Sequence, residues 1–404
     1  MNRKQLILLL LALVVLGGIG LVLRQHQEKS WDTSDTQLGR KLLPDFSVND
    51  VAALHIKDTG EVDIVKKNDR WGVRQRQDYP ANFSQISDLL LKIADLKIAQ
   101  ADPIGASQLA RMHLAEPGSG PDSATLVEFK DAQGKTLQSL LLGKKHTHKS
   151  ERAAPAAFGN NEFPDGRYVM LKSDPHTVLT ISDPLTSIDS KPAEWLDKDF
   201  FKVENPKTID FISTNAADSW SLTRDNESAP WVLQNIKKGE MFDTNKASSL
   251  SSTLSYPSFV DVAPEQAPDK TGLNKPAEID ITTFDHFHYV IKVGNKTPEN
   301  DYNMTVSVTA DFPTERVPGT DEKPADKKKL DQEFQDKLKP QQARLDQEKK
   351  LEHWTYLVTS YLIDPLIRPR AELMVDKKSD KKDSAATPEP KPAEDLLPAP
   401  DATQ

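Results

Sequence analysis

The sequence contains no cysteine. Disulfides, thiolate metal sites and cysteine nucleophiles are therefore excluded, and any exported domain must rely on its packed core. It also lacks an excess of positive charge. The formal net charge is -9, so bulk electrostatics do not favour nucleic acid. No G-x-S-x-G elbow and no H-E-x-x-H helix occurs. "QGKT" at 133–136 ends like a phosphate-binding P-loop, but that loop needs a glycine where Phe129 stands, so a β-turn is expected. With 61 acidic residues, close carboxylate pairs arise by chance, and none marks a glycosidase. The reading from these absences is a non-enzymatic chain with no catalytic, cofactor-binding or metal-binding residue assigned.

Long apolar runs are equally scarce: there is one, Leu6 to Leu23. At 1.5 Å per residue it spans roughly 27 Å, about the hydrocarbon thickness of a bilayer. It shows no polar face, unlike a buried soluble helix. Bulky Val22, Leu23 and Arg24 follow where a cleavage site would need small residues, which favours an uncleaved anchor over a cleaved signal. Arg3 and Lys4 place the N-terminus in the cytoplasm by the positive-inside rule, although Arg24 weakens the asymmetry. The expectation is a single-pass protein with its bulk extracytoplasmic: anchor 1–24, polar stalk 25–44, and two folded modules at 45–204 and 205–375. A tail over 376–404, rich in Pro, Ala, Lys and acids, is expected to be disordered.

The two modules read as copies. "VAALHIK", "RWGVRQ", "HLAEP", "ATLVEFK", "LLLGKK" and "RYVMLK" are followed in order by "IDFIST", "PWVLQN", "GLNKP", "IDITTF", "YVIKVGNK" and "WTYLVTS". Trp71 to Leu114 is 43 residues and Trp231 to Leu273 is 42. Gly143 corresponds to Gly294, and Tyr168 to Tyr356. Alternating Leu54 and Ile56, Trp71 and Val73, Ile209 and Phe211, Trp220 and Leu222, and Trp231 and Leu233 predict strands. Ile86, Leu89, Leu90, Ile93 and Leu96 predict one helix, with Asn82 and Gln85 at its start resembling a capping box. Ala247, Leu250 and Leu254 predict its counterpart from about Thr244. The fold class is thus α+β: an N-terminal transmembrane helix, then two repeated β-rich modules with mainly antiparallel sheets and one main helix each.

The copies differ before their last strand, where the second carries a charged helical insertion over about 313–352. Leu330, Phe334 and Leu338 form a thin apolar stripe there, and Pro340 is expected to break or kink the helix. The stripe fits both an insertion lying on its own module and a docking arm for a partner.

Histidines supply the remaining candidates. His286 and His288, beside Asp285, would share one strand face and could hold a metal, but surface histidines on an edge or hairpin strand are the plainer reading. His146 and His148 in "LGKKHTHK" align with "VGNKTPEN", which has no such pair. Both stretches read as strand ends running into a turn, so the histidines are confined to one loop with no third ligand nearby. Equivalence of Trp71 and Trp231 argues for core packing over a ligand-stacking platform.

With anchor and doubled unit assembled, the chain resembles the DUF4340 family. The resemblance is carried by "NRKQLILLLLALVVL", "RWGVRQRQDYPANFSQISDLLLKIADLK", the "LAEP" turn, and "LLLGKK" before "RYVML". It implies a bacterial inner-membrane protein, periplasmic in bulk, encoded beside an ABC-type permease and a GldG-like protein. By analogy, that implies an accessory or scaffold subunit of an ABC-type transport or export complex, with no catalytic residues to carry over. The alternatives are an envelope glycan- or lipid-binding protein using the cleft between modules, and, less favoured, a hydrolase assembled from distant residues.

Overall fold

The computed structural model describes residues 38–149, 162–318, 322–323 and 326–375. The expected anchor, most of the stalk and the expected tail lie outside them. Among the described residues no helix is long and apolar enough to cross a membrane.

The protein is α+β, with two antiparallel sheets and few helices. The first sheet has nine strands. They are β1 (Ala53–Lys57), β2 (Glu61–Lys67), β3 (Arg70–Val73), β4 (Tyr79–Pro80), β5 (Ile98–Pro103), β6 (Thr125–Lys130), β7 (Thr136–Lys149), β8 (Glu162–Leu171) and β9 (Asp174–Ile181). The second has eight. They are β10 (Pro206–Ile212), β11 (Trp220–Thr223), β12 (Val232–Leu233), β13 (Asp261–Val262), β14 (Ala277–Thr283), β15 (Phe287–Lys296), β16 (Asp301–Ala310) and β17 (Tyr356–Thr359). The helices are α1 (Phe83–Asp95), α2 (Thr244–Ser255), α3 (Pro268–Thr271), α4 (Lys327–Glu348) and α5 (Ser360–Ile363).

The strand orders are β4-β3-β2-β1-β6-β7-β8-β9-β5 and β12-β11-β10-β14-β15-β16-β17-β13. Apart from β4, the two orders superpose strand for strand: β3 on β12, β2 on β11, β1 on β10, and so on to β5 on β13. α1 and α2 occupy the same point in the chain order, before β5 and β13. This superposition corrects one correspondence drawn from sequence. Tyr168 lies on β8, whose counterpart is β16, whereas Tyr356 lies on β17, the counterpart of β9. The charged insertion therefore replaces the two-residue turn between β8 and β9. An apolar-aromatic strand signal looks alike on neighbouring strands, so spacing alone cannot register it across an insertion.

Alternation sets the core. Leu54, Ile56, Val62, Ile64, Ile209, Leu222, Ile279 and Ile281 are fully buried on the inner sheet faces. Ile86, Leu89, Leu90 and Ile93 bury one face of α1, and the Asn82 side chain caps it by accepting from Gln85 N at 3.1 Å. Ala247, Leu250 and Leu254 do the same for α2, which is capped by Asp243. One contiguous apolar cluster runs from Leu42 to Leu373 through both sheets. Leu42 and Leu43 already belong to it, and Leu42 N donates to Leu96 O at 2.7 Å. The last residues of the expected stalk are therefore core, because two consecutive leucines find apolar cover beside α1.

Gly143 and Gly294 mark the same place in each sheet. A Cβ on Gly143 would collide with the carbonyl oxygen of Met112, and one on Gly294 with that of Thr271. Each carbonyl lies two residues before the matched Leu114 or Leu273. Backbone cannot yield as a side-chain tip can, so Gly294→Ala is expected to cost about 1–3 kcal/mol by overpacking. The midpoint of urea unfolding measures this, and an alanine variant as stable as the parent would contradict the close approach.

The insertion forms α4 and a 3-10 turn, Lys349–His353. α4 runs through Pro340 without a break. Pro340 and Asp336 are both exposed, so the carbonyl that loses its donor faces water. Leu338 is buried and Leu345 packs on the core, and the C-terminal half of α4 lies on the second sheet. Leu330 and Phe334 are half-buried.

Candidate functional site

Two sheet edges meet at a cleft. On one side the β2–β3 hairpin turns through Asn68 and Asp69, both with positive φ (49° and 61°), the signature of a tight two-residue hairpin turn. It sets Lys67, Arg70 and Trp71 on the rim. Opposite lies the 3-10 turn after α4, presenting Lys349, Lys350, His353 and Trp354. These groups enclose about 550 Å3. A second hollow of about 680 Å3 shares Arg70, Pro80 and Lys350 and continues past Tyr79 to the exposed ring of Tyr256.

Aromatic packing joins the walls. The Tyr79 ring is 5.0 Å from Trp354 and 5.8 Å from Phe259, both edge-on. Burial pushes the Tyr79 and Tyr356 phenols far above their ordinary pKa, so both stay neutral. Beside them Arg76 holds Asp261 across the edges with two bonds, Nε to Oδ1 at 2.8 Å and Nη2 to Oδ2 at 2.6 Å. Both side chains are under one-fifth exposed, at 18% and 16%. Arg76→Ala is expected to cost about 2 kcal/mol, less than a fully buried pair because some water remains. A double-mutant cycle with Asp261→Ala reads the coupling in chemical unfolding, and additive effects would refute it.

The electrostatics of the first hollow are one-sided. Lys67 pairs with Asp78 at 2.6 Å. Arg70, Lys349 and Lys350 form no ion pair among the described residues. Three cations without an ion pair thus line the hollow beside the Lys67–Asp78 pair, and Arg70 and Lys350 also border the second hollow, which holds Asp197, Asp199, Glu204 and Glu348.

The histidines are placed differently from the sequence expectation. His146 is not in a loop: β7 continues to Lys149, because β8 pairs with it as far as His148↔Phe163 and Lys149↔Glu162. The register shifts between His146 and Thr147, and the His146 Nδ1 lies 2.6 Å from Asp165 Oδ1. His286 is not on a strand with His288. It takes a positive φ of 67° in the β14–β15 turn, whereas His288, on β15, bonds Asp280 on β14. The two do not share a strand face. Asp285 instead accepts from Asn205 at 3.4 Å.

A grouping that sequence reading missed is His55, Glu61 and Asp63, whose ligand atoms lie within 4.8 Å of one another. β1–β2 pairing sets His55 directly opposite Asp63. His55 Nδ1 to Asp63 Oδ1 is 2.9 Å, and Gln75 Nε2 donates to the other oxygen at 3.1 Å. The hairpin spacing in "HIKDTGEVD" was the available signal. Both Asp63 oxygens already have protein partners, so the group stands as a hydrogen-bonded pair beside Glu61.

Trp71 and Trp231 are both nearly buried, at 8% and 6% exposure. Their surroundings differ. The Arg224 guanidinium lies 4.8 Å from the Trp231 ring centroid. Strand pairing puts Lys66 opposite Trp71, but its ammonium turns to Asp69 at 3.2 Å. Trp71 thus borders the hollow with neither a cation over its ring nor an acceptor for its indole N–H among the described residues.

These features define an α+β protein of two antiparallel sheets in one repeated strand order, with an aromatic, basic cleft between their edges. A family model described as a domain of unknown function (DUF4340) matches residues 71–276, half of the chain, and the chain belongs to that family. The match begins at Trp71 on the cleft rim and ends before β14, so it takes in parts of both sheets. No curated protein and no solved structure matches the chain.

Proposed function

We propose that the chain is a single-pass, membrane-anchored extracytoplasmic protein, a non-enzymatic accessory or scaffold subunit of an ABC-type transport or export complex. The observation that carries the reading is the Leu6–Leu23 apolar run, flanked by Arg3, Lys4 and Arg24 and followed by a large polar chain. The N-terminus is cytoplasmic and the two sheets face the periplasm of a bacterial inner membrane. The resemblance to DUF4340 proteins implies the partner, an ABC-type permease or a GldG-like protein. Purification of the full chain in mild detergent, followed by mass spectrometry, is expected to recover such a membrane partner in stoichiometric amount. Recovery of the chain alone, or its release from membranes by alkaline carbonate, would refute the reading.

The cleft supports a second reading, an envelope glycan- or lipid-binding protein: Trp354 and the one uncovered edge of Trp71 border it from opposite walls, whereas Trp231 is core and does not line it.

A further inference from the structure

We propose that the hollow between the β2–β3 hairpin and the turn after α4 binds a phosphorylated sugar, with the phosphate on Arg70, Lys349 and Lys350 and the ring against Trp71 and Trp354. This rests on the second reading above and names its ligand class. Charge is the first argument. Arg70, Lys349 and Lys350 come from both walls and lack carboxylate partners among the described residues, in a chain that is acidic overall. A single carboxylate would leave most of that charge unmatched, whereas a phosphomonoester brings about -1.5 to -2 at neutral pH. Arginine presents a planar fork to phosphate and lysine a point charge.

Shape is the second argument. The hollow, at about 550 Å3, has the size of a small-molecule site. Its apolar lining is Val65 and Pro80 with the Trp354 indole and the small uncovered part of Trp71. Trp354 is fixed from both sides, by Tyr79 at 5.0 Å and by its own N–H donating to Lys350 O at 3.2 Å. Both walls are held. The hairpin is closed by its tight turn, and the opposite turn is clamped where Tyr356 Oη donates to Leu351 O at 3.1 Å and Val308 N to Glu352 Oε1 at 2.9 Å. The backbone of both walls is therefore set before binding, and only the exposed Arg70, Lys349 and Lys350 side chains have to order around a ligand.

The phosphorylated sugar can be free or can be the headgroup of a lipid. The test uses the full chain in detergent micelles and isothermal titration with glucosamine 1-phosphate, glucosamine and inorganic phosphate. In parallel, the tryptophan fluorescence of the chain in the same micelles is titrated with lipid A, which carries the glucosamine 1-phosphate group, because the anchor alone would carry the chain into any vesicle. Glucosamine 1-phosphate is expected to bind more tightly than either of its halves. Arg70→Gln and the double variant Lys349→Gln, Lys350→Gln are each expected to weaken it by about tenfold or more, the loss of a charge-assisted bond. All three side chains are exposed, so these variants should melt like the parent, and Lys135→Gln on the β6–β7 turn should bind like it. A fluorescence response to lipid A, lost in the same variants, assigns the ligand to a lipid headgroup; sugar phosphate binding without a response to lipid A assigns it to a free sugar phosphate. Equal binding of glucosamine and glucosamine 1-phosphate would overturn the phosphate assignment and leave a glycan cleft standing. Binding of no probe, sugar or lipid, would overturn both.

Discussion

Trp195→Ala is expected to lower the unfolding free energy of the full chain by about 3–5 kcal/mol, the range for removing a buried tryptophan. Trp195 ends the 3-10 turn Pro192–Trp195 and is fully buried, among the largest side chains that are. Its indole N–H donates to Asp189 O at 2.8 Å. Its own carbonyl accepts from Asn82 N at 2.8 Å, so the residue also fixes the cap of α1. The next residues continue this seam: Leu196 bridges to Ala81, and Asp197 N donates to Pro80 O at 2.9 Å. Alanine would leave a cavity and an orphaned carbonyl beside the segment that carries the chain from the first sheet to the second. Trp195→Phe keeps most of the volume and is expected to cost less than half as much. Urea unfolding followed by circular dichroism measures both, and a Trp195→Ala loss below about 1 kcal/mol would show that the site collapses freely.

Glu348→Ala is expected to cost about 2–3 kcal/mol: Glu348 is buried, but its partner Arg344 keeps 23% exposure, so the loss falls short of that for a fully buried pair. Glu348 is 7% exposed at the end of α4. One carboxylate oxygen takes Arg344 Nε at 2.9 Å and Lys202 N at 3.3 Å, and the other takes the Tyr289 hydroxyl at 2.9 Å. Arg344 also reaches Glu204 Oε2 at 2.7 Å, bonds Lys202 O, and lies 4.7 Å from the Phe287 ring centroid. Burial disfavours the Arg344 charge, and Glu348, Tyr289 and Glu204 more than offset it, so the guanidinium stays charged. Burial, with the adjacent Glu348 charge, pushes the Tyr289 phenol far up, so it acts as a neutral donor. Without Glu348, Arg344 keeps a half-buried charge whose one remaining carboxylate partner, Glu204, is exposed. Glu348→Gln retains an acceptor and is expected to lose about half as much. Equal and small losses for both variants, near 0.5 kcal/mol, would mean that α4 rests on the sheet by apolar contact alone. The network also bears on the proposed ligand site, because Lys349 and Lys350 follow Glu348 directly.

Much of the fold was legible. The period-2 runs at Leu54–Ile56 and Ile209–Phe211, the 3.6-period face of α1, and the paired Gly143 and Gly294 are local or near-local signals, each enforced by burial of one face or by a carbonyl that leaves no room for a Cβ. The histidine pairs were misplaced for a related reason. Whether a strand continues past Gly143, or turns at His286, depends on a partner strand and not on the residues themselves. "LGKKHTHK" proved to be strand because β8 lies beside it.

The amino-acid order determined the α+β class, the doubled unit, the core faces and the cysteine-free, acidic character of the chain, because alternation and composition act within a few residues. Only the tertiary structure decided which residues share the cleft. Arg70 and Trp71 lie on a hairpin of the first sheet, and Lys349, Lys350 and Trp354 follow a helix inserted in the second. No period links them. They meet because the edges bearing β4 and β13 are locked by Arg76–Asp261 and by the Tyr79 aromatic cluster, and because the buried Glu348 network holds α4 so that its following turn closes the opposite wall.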